Sequence, residues 1–102
     1  MDIVSVRHKG LKRLIEKDDD RLLPAKYRKK IRQLIAILIG LEAIEDFLAL
    51  PRGNPHRLKG NRSETYAISV YANWRLTFEY EAKTQSLHIL DFEDYHLSLI
   101  HI

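Results

Sequence analysis

Three short segments carry residue types able to move protons and bind phosphate: His56-Arg57-Leu58-Lys59-Gly60, Asn73-Trp74-Arg75-Leu76-Thr77-Phe78 and Glu93-Asp94-Tyr95-His96. Imidazole titrates near neutral pH, so His56 and His96 could divide the work of base and acid, and a carboxylate such as Asp94 beside one of them would orient it. Arg75 stays charged at any relevant pH and offers a planar fork of donors, which suits a developing phosphate dianion better than a lysine does. Each group also has an ordinary reading. His56 is then a surface loop residue, Arg75 a cross-strand partner of Glu79 or Asp91, and Tyr95 a core aromatic with its hydroxyl at the surface. Lys59 and Arg62 are either contacts to a phosphate backbone or solvated loop cations. Asp91, Glu93, Asp94 and His96 offer donors that hard cations accept, but alternate residues of a strand point to opposite faces, so no metal site is expected. His8, His88 and His101 fall in no catalytic motif.

These residues must be held by a small scaffold. Ile3 to Val6 reads as a short first strand, and His8 to Lys17 as a helix with Leu11, Leu14 and Ile15 on one face. Asp18 to Asp20 then breaks the pattern as a helix end or loop. Leu23-Pro24 opens a second helix, since proline suits a first turn. Tyr27, Ile31, Leu34, Ile35 and Leu38 form its apolar stripe, while Lys26, Arg28, Lys29, Lys30 and Arg32 make a basic stripe, read as solvated or as contacting a phosphate-rich partner. Leu34 to Ile39 is apolar all round and is expected to be deeply buried or covered by a partner. Gly40 weakens this helix, and Glu42 to Leu48 can form a further turn.

Pro51 to Pro55 must be loop. Tyr66–Tyr71, Trp74–Glu81 and Leu87–Phe92 follow as strands with short polar links, hence an antiparallel meander. The expected fold is α+β, one domain over residues 1–102, with two helices on one face of a mainly antiparallel sheet. Strand alternation puts Trp74, Leu76, Phe78 and Tyr80 on one side, and Arg75, Thr77, Glu79 and Glu81 on the other, which is expected to be open.

The chain has 102 residues, no cysteine and a net charge of +3. Its charge is lopsided: residues 1–62 hold 15 Lys or Arg against 8 Asp or Glu, and residues 63–102 hold 2 against 6. A basic half fits a phosphate-rich partner, although solvated helix faces look the same. The lack of cysteine fits a reducing compartment, the cytosol, and no apolar run is long enough to span a bilayer.

In this order, the three segments resemble the HigB-type toxins of the RelE superfamily, which carry a His-x-Leu-Lys-Gly segment, an Asn-x-Arg strand and a terminal Asp-Tyr-His. Arg7-His8-Lys9-Gly10-Leu11 and Leu23-Pro24 extend the resemblance over most of the chain. It implies a RelE-like fold and metal-independent cleavage of messenger RNA, on the ribosome, by attack of a ribose 2′-hydroxyl on the adjacent phosphate. His56, Asp94, Tyr95 and His96 then resemble the acid and base groups, and Arg75 and Lys59 the phosphate-binding cations; no cofactor is implied. It further implies a cognate helix-turn-helix antitoxin of the HigA type, with operator DNA contacted only through that partner, and either the second helix or the C-terminal tail as its docking surface. Binding without catalysis, as in the gyrase-poisoning ParE-like toxins or a plain RNA-binding module, is the alternative. Departures from the pattern are Ala72 where glycine is frequent, Tyr66 where tryptophan is usual, Glu79 and Glu81 where basic residues are common, and the apolar residues after His96.

Overall fold

A computed structural model describes residues 1–94 of the chain; Tyr95, His96 and the apolar tail 97–102 lie outside the described residues. The element order is β1 (Asp2–Ile3), α1 (Lys9–Lys17), a 3₁₀ turn (Ala25–Tyr27), α2 (Arg28–Gly40), α3 (Ile44–Leu48), β2 (His56–Arg57), a 3₁₀ turn (Gly60–Arg62), β3 (Thr65–Tyr71), β4 (Trp74–Glu81) and β5 (Ser86–Asp94). The strands form one sheet in the order β1-β5-β4-β3-β2. As expected, the last three strands make an antiparallel meander. The first strand is shorter than Ile3 to Val6 and pairs parallel to β5, with Val6 adding one isolated bridge to Leu90. β2, an edge strand of two residues, was not foreseen, because so short a run carries no periodicity.

Helix α1 starts where a polar acceptor meets its unpaired amides. The Nδ1 of His8 accepts from the N–H groups of Gly10 (3.1 Å) and Leu11 (3.3 Å), doing the work usually given to Ser or Asp. Burial lowers the pKa of His8, with the charge of Asp91 opposing that shift, so the neutral, capping form is favoured. A methyl group on Gly10 would come within 3.0 Å of both the His8 ring and Leu23, which is why the chain before α2 can lie against this turn. Asp18 ends α1 in a left-handed conformation (φ 54°).

The acidic run is more than a helix end. Asp19 pairs with Arg13 (2.8 Å) and Arg21 (3.0 Å), while Arg32 of α2 reaches both Asp18 (2.6 Å) and Asp20 (2.9 Å). Hydrogen bonds from Arg21 and then Arg13 hold the Asp19 carboxyl well below the usual carboxylate range. The network staples the end of α1 to α2 and takes Arg28 and Arg32 out of the basic stripe, leaving Lys26, Lys29 and Lys30 exposed.

Pro24 precedes the 3₁₀ turn rather than α2 itself, which starts at Arg28 and ends at Gly40. Ile31, Ile35 and Leu38 are buried against the sheet. Ile37 and Ile39 are 41% and 53% exposed, so the fold by itself does not bury Leu34 to Ile39 all round, and of the two expectations only cover by a partner is left for these two side chains. A helix resting on one sheet face buries one stripe, and at 3.6 residues per turn these two isoleucines fall outside it. The core joins Leu11, Leu14, Ile31, Leu38 and Phe47 to Ile68, Leu76, Phe78, Leu87, Leu90 and Phe92 of the sheet.

A bulge in β5 decides which residues face away from the helices. Thr77 pairs with Asp91 and Glu79 with His88, so two steps on β4 match three on β5. The extra residue is Ile89, at φ 53°, a conformation that a β-branched side chain rarely adopts. Ser5 holds it there, its hydroxyl accepting from the Ile89 N–H (2.8 Å) and its carbonyl from the Leu90 N–H (3.0 Å). Leu87 and Leu90 can therefore both enter the core, and Asp91 and Glu93 turn to the second face.

Candidate active site

The second face of the sheet, opposite the helices, is built from residues whose register partners alternate with core positions. His56 pairs with Ala67, Ala67 with Thr77, Ser69 with Arg75, and Arg75 with Glu93. His56 and Arg75 thus share this face, two strands and two residues apart, roughly 12 Å between Cα atoms by ideal sheet spacings. The face is less open than the strand alternation suggests, since Ala67 and Thr77 are only 0% and 2% exposed.

His56 is fixed by its own loop. Its Nδ1 lies 2.8 Å from the carbonyl oxygen of Asn54, which can only accept, so Nδ1 carries a proton and Nε2 is left with the lone pair in the neutral ring. Asn54 is at φ 48° and Gly53 at φ 83°; a methyl group at Gly53 would come within 2.6 Å of Ile68, so this turn needs a glycine. The Ser69 N–H donates to the Gly53 carbonyl (2.7 Å), tying the loop to β3.

Arg75 opens β4 just after the two-residue turn Ala72-Asn73. Its guanidinium donates to the carbonyls of Ala72 (2.8 Å) and Trp74 (3.3 Å), bracing a turn in which Ala72 is held at φ 45°. The cross-strand neighbour of Arg75 is Glu93, not Glu79 or Asp91. The Glu93 carboxylate turns instead to Arg62, accepting at 3.1 Å and 2.7 Å in a two-pronged pair, and to the Thr77 hydroxyl. Burial of Glu93 works to raise its pKa, but the hydrogen bonds from Arg62 and Thr77 and the charges of Arg62 and Arg7 outweigh it, so the carboxyl lies below its ordinary value.

A cleft of about 260 Å³ opens beside this pair, lined by Arg7, Arg62, Thr77, Glu79, Asp91 and Glu93 among others. Among the described residues, no group of three or more His, Asp or Glu side chains is placed to hold a metal ion.

Of the residues expected to do chemistry, His56 and Arg75 are brought to one face. Asp94 ends β5 opposite Trp74, one step off that face by register. Tyr95 and His96 lie outside the described residues. Lys59 is exposed at the start of the turn that carries Arg62. Lys26, Lys29 and Lys30 lie on the helix layer, not on the second face. Their end of α2 is docked to the Arg75 end of the sheet, where Tyr27 stacks on Tyr71 at 3.6 Å and Trp74 on Phe92 at 4.7 Å. By sequence alone His8 has no role, Glu93 is weighed only as a metal ligand and Thr77 is placed only on the open face of its strand. The position of His8 just before an apolar-periodic run was the available signal for a cap; the pairing of Glu93 with Arg62 and Thr77 had none.

The comparisons with known proteins agree with this architecture. Residues 4–96 match the family model for the RelE-like toxin of type II toxin–antitoxin system HigB. The endoribonuclease HigB of Proteus vulgaris is 36% identical over 99 residues, covering 92% of this chain and 99% of that protein. A solved YoeB/ParE toxin from Agrobacterium tumefaciens shares the fold with a TM-score of 0.57 at 20% identity, covering 89% of this chain and 93% of that one. With nearly its whole length matched by that family model, and with the helix-backed sheet to go with it, this chain belongs to the HigB family of RelE-like toxins of type II toxin–antitoxin systems, proteins that are paired with an antitoxin.

Proposed function

We propose that the protein is an endoribonuclease that cuts messenger RNA on the ribosome through the second face of its sheet. The observation that carries this reading is the placement of His56, with its Nε2 lone pair, on the same face as Arg75. Its support from outside the chain is the relative named an endoribonuclease.

The reaction needs no group beyond those residue types. A base takes the proton from the ribose 2′-hydroxyl, the 2′ oxygen attacks phosphorus, and the bond to the 5′ oxygen breaks. An acid protonates that oxygen, leaving a 2′,3′-cyclic phosphate and a free 5′-hydroxyl. His56 and His96 take the base and acid roles in this reading, Asp94 orients an imidazole, Tyr95 adds a hydroxyl donor, and Arg75 stabilises the phosphorane together with Lys59. Arg62, held by Glu93, and the exposed Lys26, Lys29 and Lys30 add backbone contacts to messenger or ribosomal RNA. The restraining partner is a helix-turn-helix antitoxin of the HigA type, through which operator DNA is reached, and the site of action is the bacterial cytoplasm.

Induction of the wild-type gene in bacteria is expected to arrest growth and fragment translated transcripts, and His56→Ala, Arg75→Ala and His96→Ala to relieve both. Full toxicity in all three variants would sink the assignment. Growth arrest with intact transcripts and lost DNA supercoiling would favour the gyrase-directed alternative.

A further inference from the structure

The proton transfers above make no use of Glu93, yet this carboxylate is held from two sides, by both prongs of Arg62 and by the nearly buried hydroxyl of Thr77. By register its neighbour is Arg75, but it turns along the sheet to Thr77 and out to a residue 31 positions earlier in the chain.

Arg62 ends the short 3₁₀ turn between β2 and β3. β2 contributes only two register pairs, His56 with Ala67 and Arg57 with Tyr66. Other bonds that shape this turn stay inside its own hairpin: the Leu58 N–H to Thr65 (2.8 Å), the Ser63 N–H to Gly60 (3.2 Å), and the Arg57 side chain to the Ser63 carbonyl. The Arg62–Glu93 pair differs in kind. It crosses from the edge hairpin, over β3 and β4, to β5. Arg62 and Glu93 side chains are 39% and 21% exposed, so the pair is partly shielded from water, and its two-pronged geometry fixes direction as well as distance.

Lys59 starts the turn that Arg62 ends, three positions later, so whatever fixes the turn also fixes Lys59, while His56 is held by its own loop and by its pairing with Ala67. We propose that Glu93, braced by Thr77, is a positioning residue: it holds the Lys59–Arg62 turn across the second face and so sets the distance of Lys59 from Arg75. The inference rests on the nuclease reading of that face. Its energetic sense is preorganisation, because a displacement of about 1 Å in such a constellation costs on the order of a hundredfold in rate. A lysine at position 62 keeps the charge but loses the fork, and a valine at position 77 keeps the shape but loses the brace.

The test uses the whole purified protein in a translating bacterial extract, with messenger cleavage resolved into kcat and KM, alongside amide hydrogen exchange at Leu58 and Ser63. Glu93→Gln and Arg62→Lys are expected to lower kcat by about tenfold or more while KM moves by less than about threefold, as loss of alignment in the transition state requires. Exchange in the turn should quicken in the same variants, with Thr77→Val intermediate in both readouts. Arg21→Met, which removes an exposed ion pair far from this face, should leave cleavage unchanged. A merely structural role would lower the melting temperature while the folded protein kept its kcat. Wild-type kcat in folded Glu93→Gln, or a loss of kcat without faster exchange in the turn, would overturn the proposal. Should Glu93→Gln fail to fold, Arg62→Lys and Thr77→Val decide by the same two readouts. If the wild-type protein cuts no RNA at all, the nuclease reading fails, and unchanged exchange in Glu93→Gln would then show separately that Glu93 does not hold the turn.

Discussion

Lowering the pH should loosen the start of α1 through His8 alone. In the folded chain the Nδ1 lone pair is occupied by two backbone N–H groups, and a proton there would abolish the cap. Burial holds the folded pKa below the ordinary 6.5, against the pull of Asp91. The unfolded chain therefore binds the proton first, so the stabilisation is complete above pH 6.5 and is lost as pH falls toward the folded pKa. At pH 5.5 an unfolded imidazole is about nine-tenths protonated, which puts a ceiling of about 1.4 kcal/mol on the loss relative to pH 7.5. Partial solvation of the ring keeps the realised loss below that ceiling. At about 4–8 °C per kcal/mol for a domain of this size, the ceiling corresponds to a drop of no more than about 11 °C in Tm, and a smaller drop is expected. The assay is thermal unfolding followed by circular dichroism at both pH values for wild type and His8→Asn, whose amide oxygen can still cap but does not titrate. Subtracting the two removes the contribution of the other histidines. Equal drops in both proteins would refute the reasoning, as would a variant more sensitive to acid than the wild type.

Two further outcomes follow from backbone strain and from the packing of α2. Ala72 sits at φ 45° as the first residue of a two-residue hairpin turn, where glycine carries no Cβ penalty, so Ala72→Gly should raise stability by about 1 kcal/mol in urea unfolding. A loss of stability would mean that the turn is not strained. Ile35→Ala, which empties a core position, should cost about 2–5 kcal/mol, whereas Ile39→Lys on the outer side of the same helix should stay within about 0.5 kcal/mol of wild type. Comparable losses at both positions would contradict the observed burial.

Much of this protein could be read from neighbouring residues in the chain. The period of Ile31, Ile35 and Leu38 announced a one-sided helix, and the alternation of Leu76 and Phe78 with Arg75 and Thr77 announced a two-faced strand. The three short motifs announced the family, because their residue types and order survive without any knowledge of contacts. Other features waited on the tertiary structure. The parallel seat of β1 on β5, the bulge at Ile89, the arginine–aspartate staple between α1 and α2, and the choice of Glu93 for Arg62 over Arg75 all depend on groups far apart in sequence. Periodicity reports which face a residue prefers, since that follows from backbone geometry within a few residues. Register and ion-pair choice are set by what other segments bring to that face, and only the folded chain supplies those neighbours.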